Sequence, residues 1–168
     1  WSSDVCSSDL AQLGDAPRRD YPVITKDVRL IAREDIDGID AVIHLAGLSN
    51  DALGELSRRV TFDINHRATM RLAALCKEVG VSRFVYASSC SIYGRSSAAI
   101  VTEASPFDPQ TDYAVCKMLD ERELSDLADD RFSPTFLRNA TAYGASPRMR
   151  FDLVVNNLDR KSTRLNSS

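Results

Sequence analysis

The chain has 168 residues, with 21 Lys and Arg against 24 Asp and Glu for a net charge of −3, so it lacks the concentrated positive stripe that a nucleic-acid backbone requires. No apolar run approaches the roughly 20 residues of a membrane-spanning helix, and the expectation is a soluble, cytoplasmic protein with neither nucleic acid nor membrane as partner. Cys6 lies in a terminal tail, and Cys76, Cys90 and Cys116 show no C-x-x-C spacing; they are expected to pack as small hydrophobes rather than to form disulfides or hold a metal.

The two ends match nothing around them. "DRKSTRLNSS", residues 159–168, can be written GAT CGG AAG AGC ACA CGT CTG AAC TCC AGT. The reverse complement of that string, read from its third base, spells Trp1 to Asp9 and begins a Leu codon. One oligonucleotide on opposite strands therefore accounts for both tails, which read as sequencing adapter and are set aside from fold reasoning. The natural frame is Ala11 to Leu158, expected to be one partial domain cut at both sides.

Within that frame, short apolar runs alternate with helical patterns. "YPVITKDVRL" and "DAVIHLAG" come first. A stripe of Leu56, Val60, Ile64, Ala68, Leu72, Leu75 and Val79 then recurs at spacings of three and four, one face of a helix that Gly80 ends. "RFVYASS" follows, then a helix capped near Thr111 or Asp112, then "SPTFLRNATAY". This order predicts an α/β fold with a parallel sheet. Ala41 to Leu45 and Phe84 to Ala87 are apolar on both faces, as strands covered on each side would be. Ligands bind such sheets beyond the carboxyl ends of the strands, where this sequence places Asp27, then Ala46 and Gly47, then Ser88 and Ser89, then Asn139.

"TDYAVCK" sets Tyr113 and Lys117 four residues apart, on one face of the predicted helix. An ammonium held near a phenol stabilises the phenolate and lowers a pKa that starts at about 10 toward the range of a general base. About two dozen residues earlier, "YASSCSIYG" ends a strand in paired hydroxyls. A Ser there orients a substrate hydroxyl or carbonyl while the phenolate takes the proton, which is what alcohol oxidation requires.

Together these segments resemble the extended short-chain dehydrogenase/reductases, in particular the NAD-dependent epimerase/dehydratase group that acts on nucleotide sugars. "DAVIHLAG", "INHRAT", "YASSCSIYG", "YAVCK" and "LRNATAYGASP" occur in that family's order. The resemblance implies a Rossmann-like doubly wound parallel sheet, here incomplete, without the first βαβ unit and its Gly-rich loop and without the C-terminal substrate domain. It implies NAD as cofactor, with NADP also open, a nucleotide-sugar substrate, and a homodimer in the intact parent. Tyr113 is the implied base and Lys117 its partner, bonding the nicotinamide ribose. Ser89, four residues before Tyr93, is the implied catalytic hydroxyl in preference to Ser88. Asp27 and Val28 are similar to the pair beside the adenine, Ala46 and Gly47 to the backbone facing the cofactor, and Asn65 to the helix Asn that supports the site. Asn157 in "VVNNL" is similar to a residue of the segment holding the nucleotide diphosphate, and Arg148 and Arg150 are further candidates for phosphates.

Dehydratases of this group place an Asp-Glu pair after the catalytic hydroxyl, where this chain has Cys90 and Ser91, which favours epimerisation through a transient keto sugar with hydride passing to and from bound NAD. A reductase or dehydrogenase of the same family, or a non-catalytic dinucleotide-binding regulatory protein, are the alternatives. His44, inside an apolar strand, is expected to be a satisfied core histidine, and His66 a surface residue.

Overall fold

A computed structural model describes residues 22–49, 57–95 and 100–142. Both tails, Leu56, Arg148, Arg150 and Asn157 lie outside the described residues. Contacts divide the chain into two units, and every element below belongs to the one spanning Lys26–Ala140.

Three strands, β1 (Ala41–His44), β2 (Arg83–Ser89) and β3 (Ser133–Asn139), form a parallel sheet in the order β1-β2-β3. Ile43 stands opposite Val85, Tyr86 opposite Phe136 and Ser89 opposite Asn139. Parallel neighbours need crossovers, and helices supply them. The first is continuous but not uniform: α1 (Arg58–Thr61), a π-helical stretch Phe62–Arg67, then α2 (Ala68–Val79). Ser57 caps its start, and Gly80 ends it at φ 93°, a conformation glycine adopts without the Cβ clash other residues meet. The second crossover is α3 (Asp112–Leu127), capped by Thr111 as expected.

The helices cover one face of the sheet. Phe84 and Tyr86 of β2 point into it and pack with Leu72, Ala73 and Cys76 of α2, Leu124 of α3, and Phe132. Burying a side chain of this size stabilises by about 2 kcal/mol, so this apolar lower core secures the fold while the carboxyl ends stay polar. Cys76 and Cys116 are buried, as expected of small hydrophobes, but Cys90 is exposed.

Three expectations need correction. The run through Asp27 forms no strand: Asp27 instead caps a 3-10 turn, Val28–Leu30. A strand needs a neighbour to pair with, and among the described residues β1 pairs with β2 alone and no strand pairs with this run. The other sheet face is not covered among the described residues, where Ile43 is 67% and Leu45 62% exposed. The helical stripe is also displaced. Ala68 and Leu72 are buried and Leu75 and Val79 pack on the core, but ahead of them Thr61 and Asn65 point inward while Val60 is 41% exposed. The wide π turns change the helix's phase there and present polar side chains to the sheet's carboxyl edge.

Candidate active site

The site grows from the end of β2 and the first two turns of α3. Thr111 Oγ1 accepts from Ala114 N at 3.2 Å, which fixes where α3 begins and so where Tyr113 and Lys117 emerge. Lys117 is only 5% exposed. Its Nζ donates to Ala87 O at 2.6 Å and lies 4.3 Å from the Tyr86 ring centroid and 5.5 Å from that of Tyr113. Burial pulls the amine down to about 8, and Asp120 opposes that pull. The group therefore stays charged at neutral pH, within reach of the half-buried Tyr113 ring.

The paired serines at the end of β2 have separate jobs, because successive strand residues face opposite ways. Ser88 is buried and donates to Glu121 Oε1. Glu121 is gripped by the Arg138 fork, Nε to Oε1 at 3.1 Å and Nη2 to Oε2 at 2.7 Å, while Arg138 Nη1 donates to Tyr93 Oη at 2.7 Å. The Ser88 hydroxyl is thus committed to a structural network that ties α3, β3 and the turn after β2 together. Ser89 is half-buried, and its Oγ accepts from Ser91 N at 3.2 Å and lies 2.9 Å from Ser91 Oγ. Its ties are to the turn it caps, Cys90–Tyr93.

Gly94 closes that turn at φ 56°, and a Cβ there would sit 1.7 Å from Asp108 O. Only glycine lets the segment leading to α3 pass so close.

The loop after β1 is held by Asn65 from the π stretch. Asn65 Oδ1 accepts from Leu48 N at 2.6 Å, and Nδ2 donates to Leu48 O at 3.0 Å. A Cβ on Gly47 would come within 3.2 Å of the same Oδ1. Asn65 thus fixes the loop at Gly47 and Leu48, directly after Ala46. Asp27 and Val28 sit elsewhere, on the 3-10 turn that Arg71 Nη1 anchors to α2 through Arg29 O at 2.8 Å. The Arg29 guanidinium and amide hold the Asp27 carboxyl at about 2, well below the usual range.

His44 is the satisfied core histidine expected. Thr69 Oγ1 gives its proton to Asn65 O at 2.6 Å, so His44 Nε2, 2.9 Å away, is the donor to that hydroxyl. Burial, then the Lys117 charge, hold His44 at about 4 and therefore neutral. His66 is not the surface residue expected. Its side chain is 17% exposed, with Nδ1 2.7 Å from Asp120 Oδ1 and Nε2 3.5 Å from Glu123 Oε1. Asp120, wholly buried, also accepts from the Tyr86 hydroxyl. Sequence reasoning missed Tyr86, Asp120, Glu121, Arg138 and Ser91. The helical face could have pointed to two of them, since Asp120 and Glu121 lie three and four residues beyond Lys117.

Comparison with known proteins gives the chain relatives. The NAD dependent epimerase/dehydratase family matches over residues 9–165. UDP-glucose 4-epimerase of Bacillus subtilis (strain 168) is 33% identical over 132 residues, 72% of this chain and 38% of that protein. The corresponding enzyme of Neisseria meningitidis serogroup C is 37% identical over 112 residues, 64% of this chain and 32% of that one. Among solved structures, MoeE5 in complex with UDP-glucuronic acid and NAD superposes with a TM-score of 0.72 at 31% identity, covering 85% of this chain and 50% of that one. UDP-glucuronic acid 4-epimerase from Bacillus cereus in complex with NAD gives 0.70 at 26%, covering 84% and 45%. The chain thus spans half or less of the length of each of these relatives. With the parallel sheet these matches establish a Rossmann-like fold, and the chain belongs to the NAD dependent epimerase/dehydratase family.

Proposed function

We propose that the chain is part of an NAD-dependent nucleotide-sugar epimerase. The observation that carries this reading is the pairing of Lys117 and Tyr113 on one face of α3 at the carboxyl end of β2, with the ammonium buried and 5.5 Å from the phenol ring. A charge so placed stabilises the Tyr113 phenolate, which takes the proton from a sugar hydroxyl. Ser89 orients the oxygen that loses it. Lys117 is fixed by Ala87 O and has two further protons to donate, which suits a ribose hydroxyl. Ala46 and Gly47, braced by Asn65, offer backbone to a flat ligand at close range. These residues fit the nicotinamide-ribose end of NAD, and solved relatives hold NAD. When bound, NAD supplies a hydride acceptor and, for epimerisation, returns the hydride. Asn157, Arg148 and Arg150 remain the proposed contacts for the substrate's diphosphate, and a homodimer the proposed assembly.

The test is to read the source locus through both junctions and express the longer chain. Natural sequence in place of residues 1–10 and 159–168 is expected, as is interconversion of UDP-hexoses without net release of reduced cofactor. Tyr113→Phe should lower kcat by about 10²–10⁴-fold. Steady release of NADH would favour a dehydrogenase, and a longer chain that binds NAD yet turns over no nucleotide sugar would defeat the enzyme reading.

A further inference from the structure

Beneath the Tyr113–Lys117 pair lies a buried polar chain that the reaction as described does not use. Asp120 is one helical turn beyond Lys117, on the same face of α3, and is 0% exposed. One carboxylate oxygen faces His66 Nδ1 at 2.7 Å, and the other accepts from the Tyr86 hydroxyl. The ring of that same Tyr86 carries the Lys117 ammonium on its face, 4.3 Å from the centroid. A buried carboxylate is costly unless paired and hydrogen-bonded, and three separate elements contribute groups to hold this one: His66 from the π stretch, Tyr86 from β2, and α3 itself.

We propose that the Asp120 carboxylate, held between His66 and Tyr86, is a positioning residue that anchors the Lys117 ammonium and, through it, the Tyr113 phenol. The proposal rests on the reading of Lys117 and Tyr113 as the working pair. Asp120 acts in two ways. Its charge directly favours the ammonium. By accepting the hydrogen bond from the Tyr86 hydroxyl it also makes the Tyr86 ring more electron-rich, and so a better seat for a cation. His66 and Tyr86 in turn keep Asp120 ionised: burial raises its carboxyl to about 6, and the bonds from Tyr86 and His66 limit that rise. The other titratable groups facing Lys117 are His44 from β1, held neutral by burial, and Tyr113 and Cys116 on α3, with the Cys116 thiol pushed up to about 12 by its surroundings. Neither His44 nor Cys116 supplies a negative charge at neutral pH as Asp120 does. The Nε2 of His66 reaches toward Glu123 at 3.5 Å, so the chain runs from the outer side of α3 to the working amine.

The test is ionisation rather than turnover, so it separates this proposal from the catalytic reading itself. Lysine 13Cε and aspartate 13Cγ shifts of the full 168-residue chain are followed against pH, with Lys117 and Asp120 assigned by substitution. In Asp120→Asn the Lys117 midpoint should fall by about one pH unit, while a structural role for Asp120 would leave it in place. Should Asp120→Asn fail to fold, His66→Leu removes one donor at a partly exposed position. There the Asp120 midpoint should rise and that of Lys117 fall. Unmoved midpoints in either folded variant overturn the proposal.

Discussion

At Gly94 and His44 single atoms decide what the chain tolerates. Gly94→Ala would place a Cβ 1.7 Å from Asp108 O at a positive φ. We expect a loss of about 3 kcal/mol, read as a lower denaturant midpoint together with displaced signals from residues 108–113. His44 carries a pH signature. Burial holds it at about 4, below the ordinary 6.5 of histidine, so between those pH values the unfolded chain binds a proton that the native one refuses. Stability from His44 is therefore complete above pH 6.5 and falls as pH drops toward 4, by about 3 kcal/mol. Asp120 works the other way over much of the same range, since its raised carboxyl takes up a proton in the folded state first. His44→Phe should remove the first effect and leave the second. Its unfolding free energy should lose less than wild type between pH 7 and 4, and parallel pH curves for the two proteins would contradict this.

At the scale of elements, the helix formed by α1, the π stretch and α2 does two things along its length. Its second half is apolar and packs on Phe84 and Tyr86; its first half turns Thr61 and Asn65 inward. Asn65→Ala would leave Leu48 N and O without their side-chain partners. The cost should be about 2 kcal/mol, and hydrogen exchange at the Leu48 amide should quicken more than at the strand amides of β2. The sequence pattern could not show this division. A stripe counted at spacings of three and four assumes a uniform helix, and the wide segment leaves Val60 off the face assigned to it. The cap at Thr111, the stop at Gly80 and the meeting of Tyr113 with Lys117 were legible because each depends on residues within a turn of one another. The His66–Asp120 bond joins residues 54 apart in sequence, and no local spacing encodes it. Asp27 was misplaced for a related reason, since whether a run pairs as a strand depends on a neighbour elsewhere in the chain.

For the whole molecule, the sheet is the dominant fact. Helices cover one face, while Ile43, Leu45 and Leu137 stand exposed on the other side of the described unit. Exposed apolar side chains on a sheet face bind hydrophobic dyes. The purified chain should enhance anilinonaphthalene sulfonate fluorescence while keeping a cooperative thermal transition, and a silent dye would show that face to be covered. Rossmann-like order was readable from the alternation of apolar runs and helical patterns; which sheet face is bare among the described residues was not, since strands with two apolar faces look alike whether or not something lies on them.

The grip of Asn65 on Leu48 has a consequence for how this sequence can drift. Asn65 reads the peptide group at position 48, donor and acceptor together, and makes no bond there to the side chain. Any residue with an amide hydrogen satisfies that grip, so for this contact position 48 should tolerate substitution where position 65 should not. Proline, which has no such hydrogen, should be the one replacement that lineages avoid.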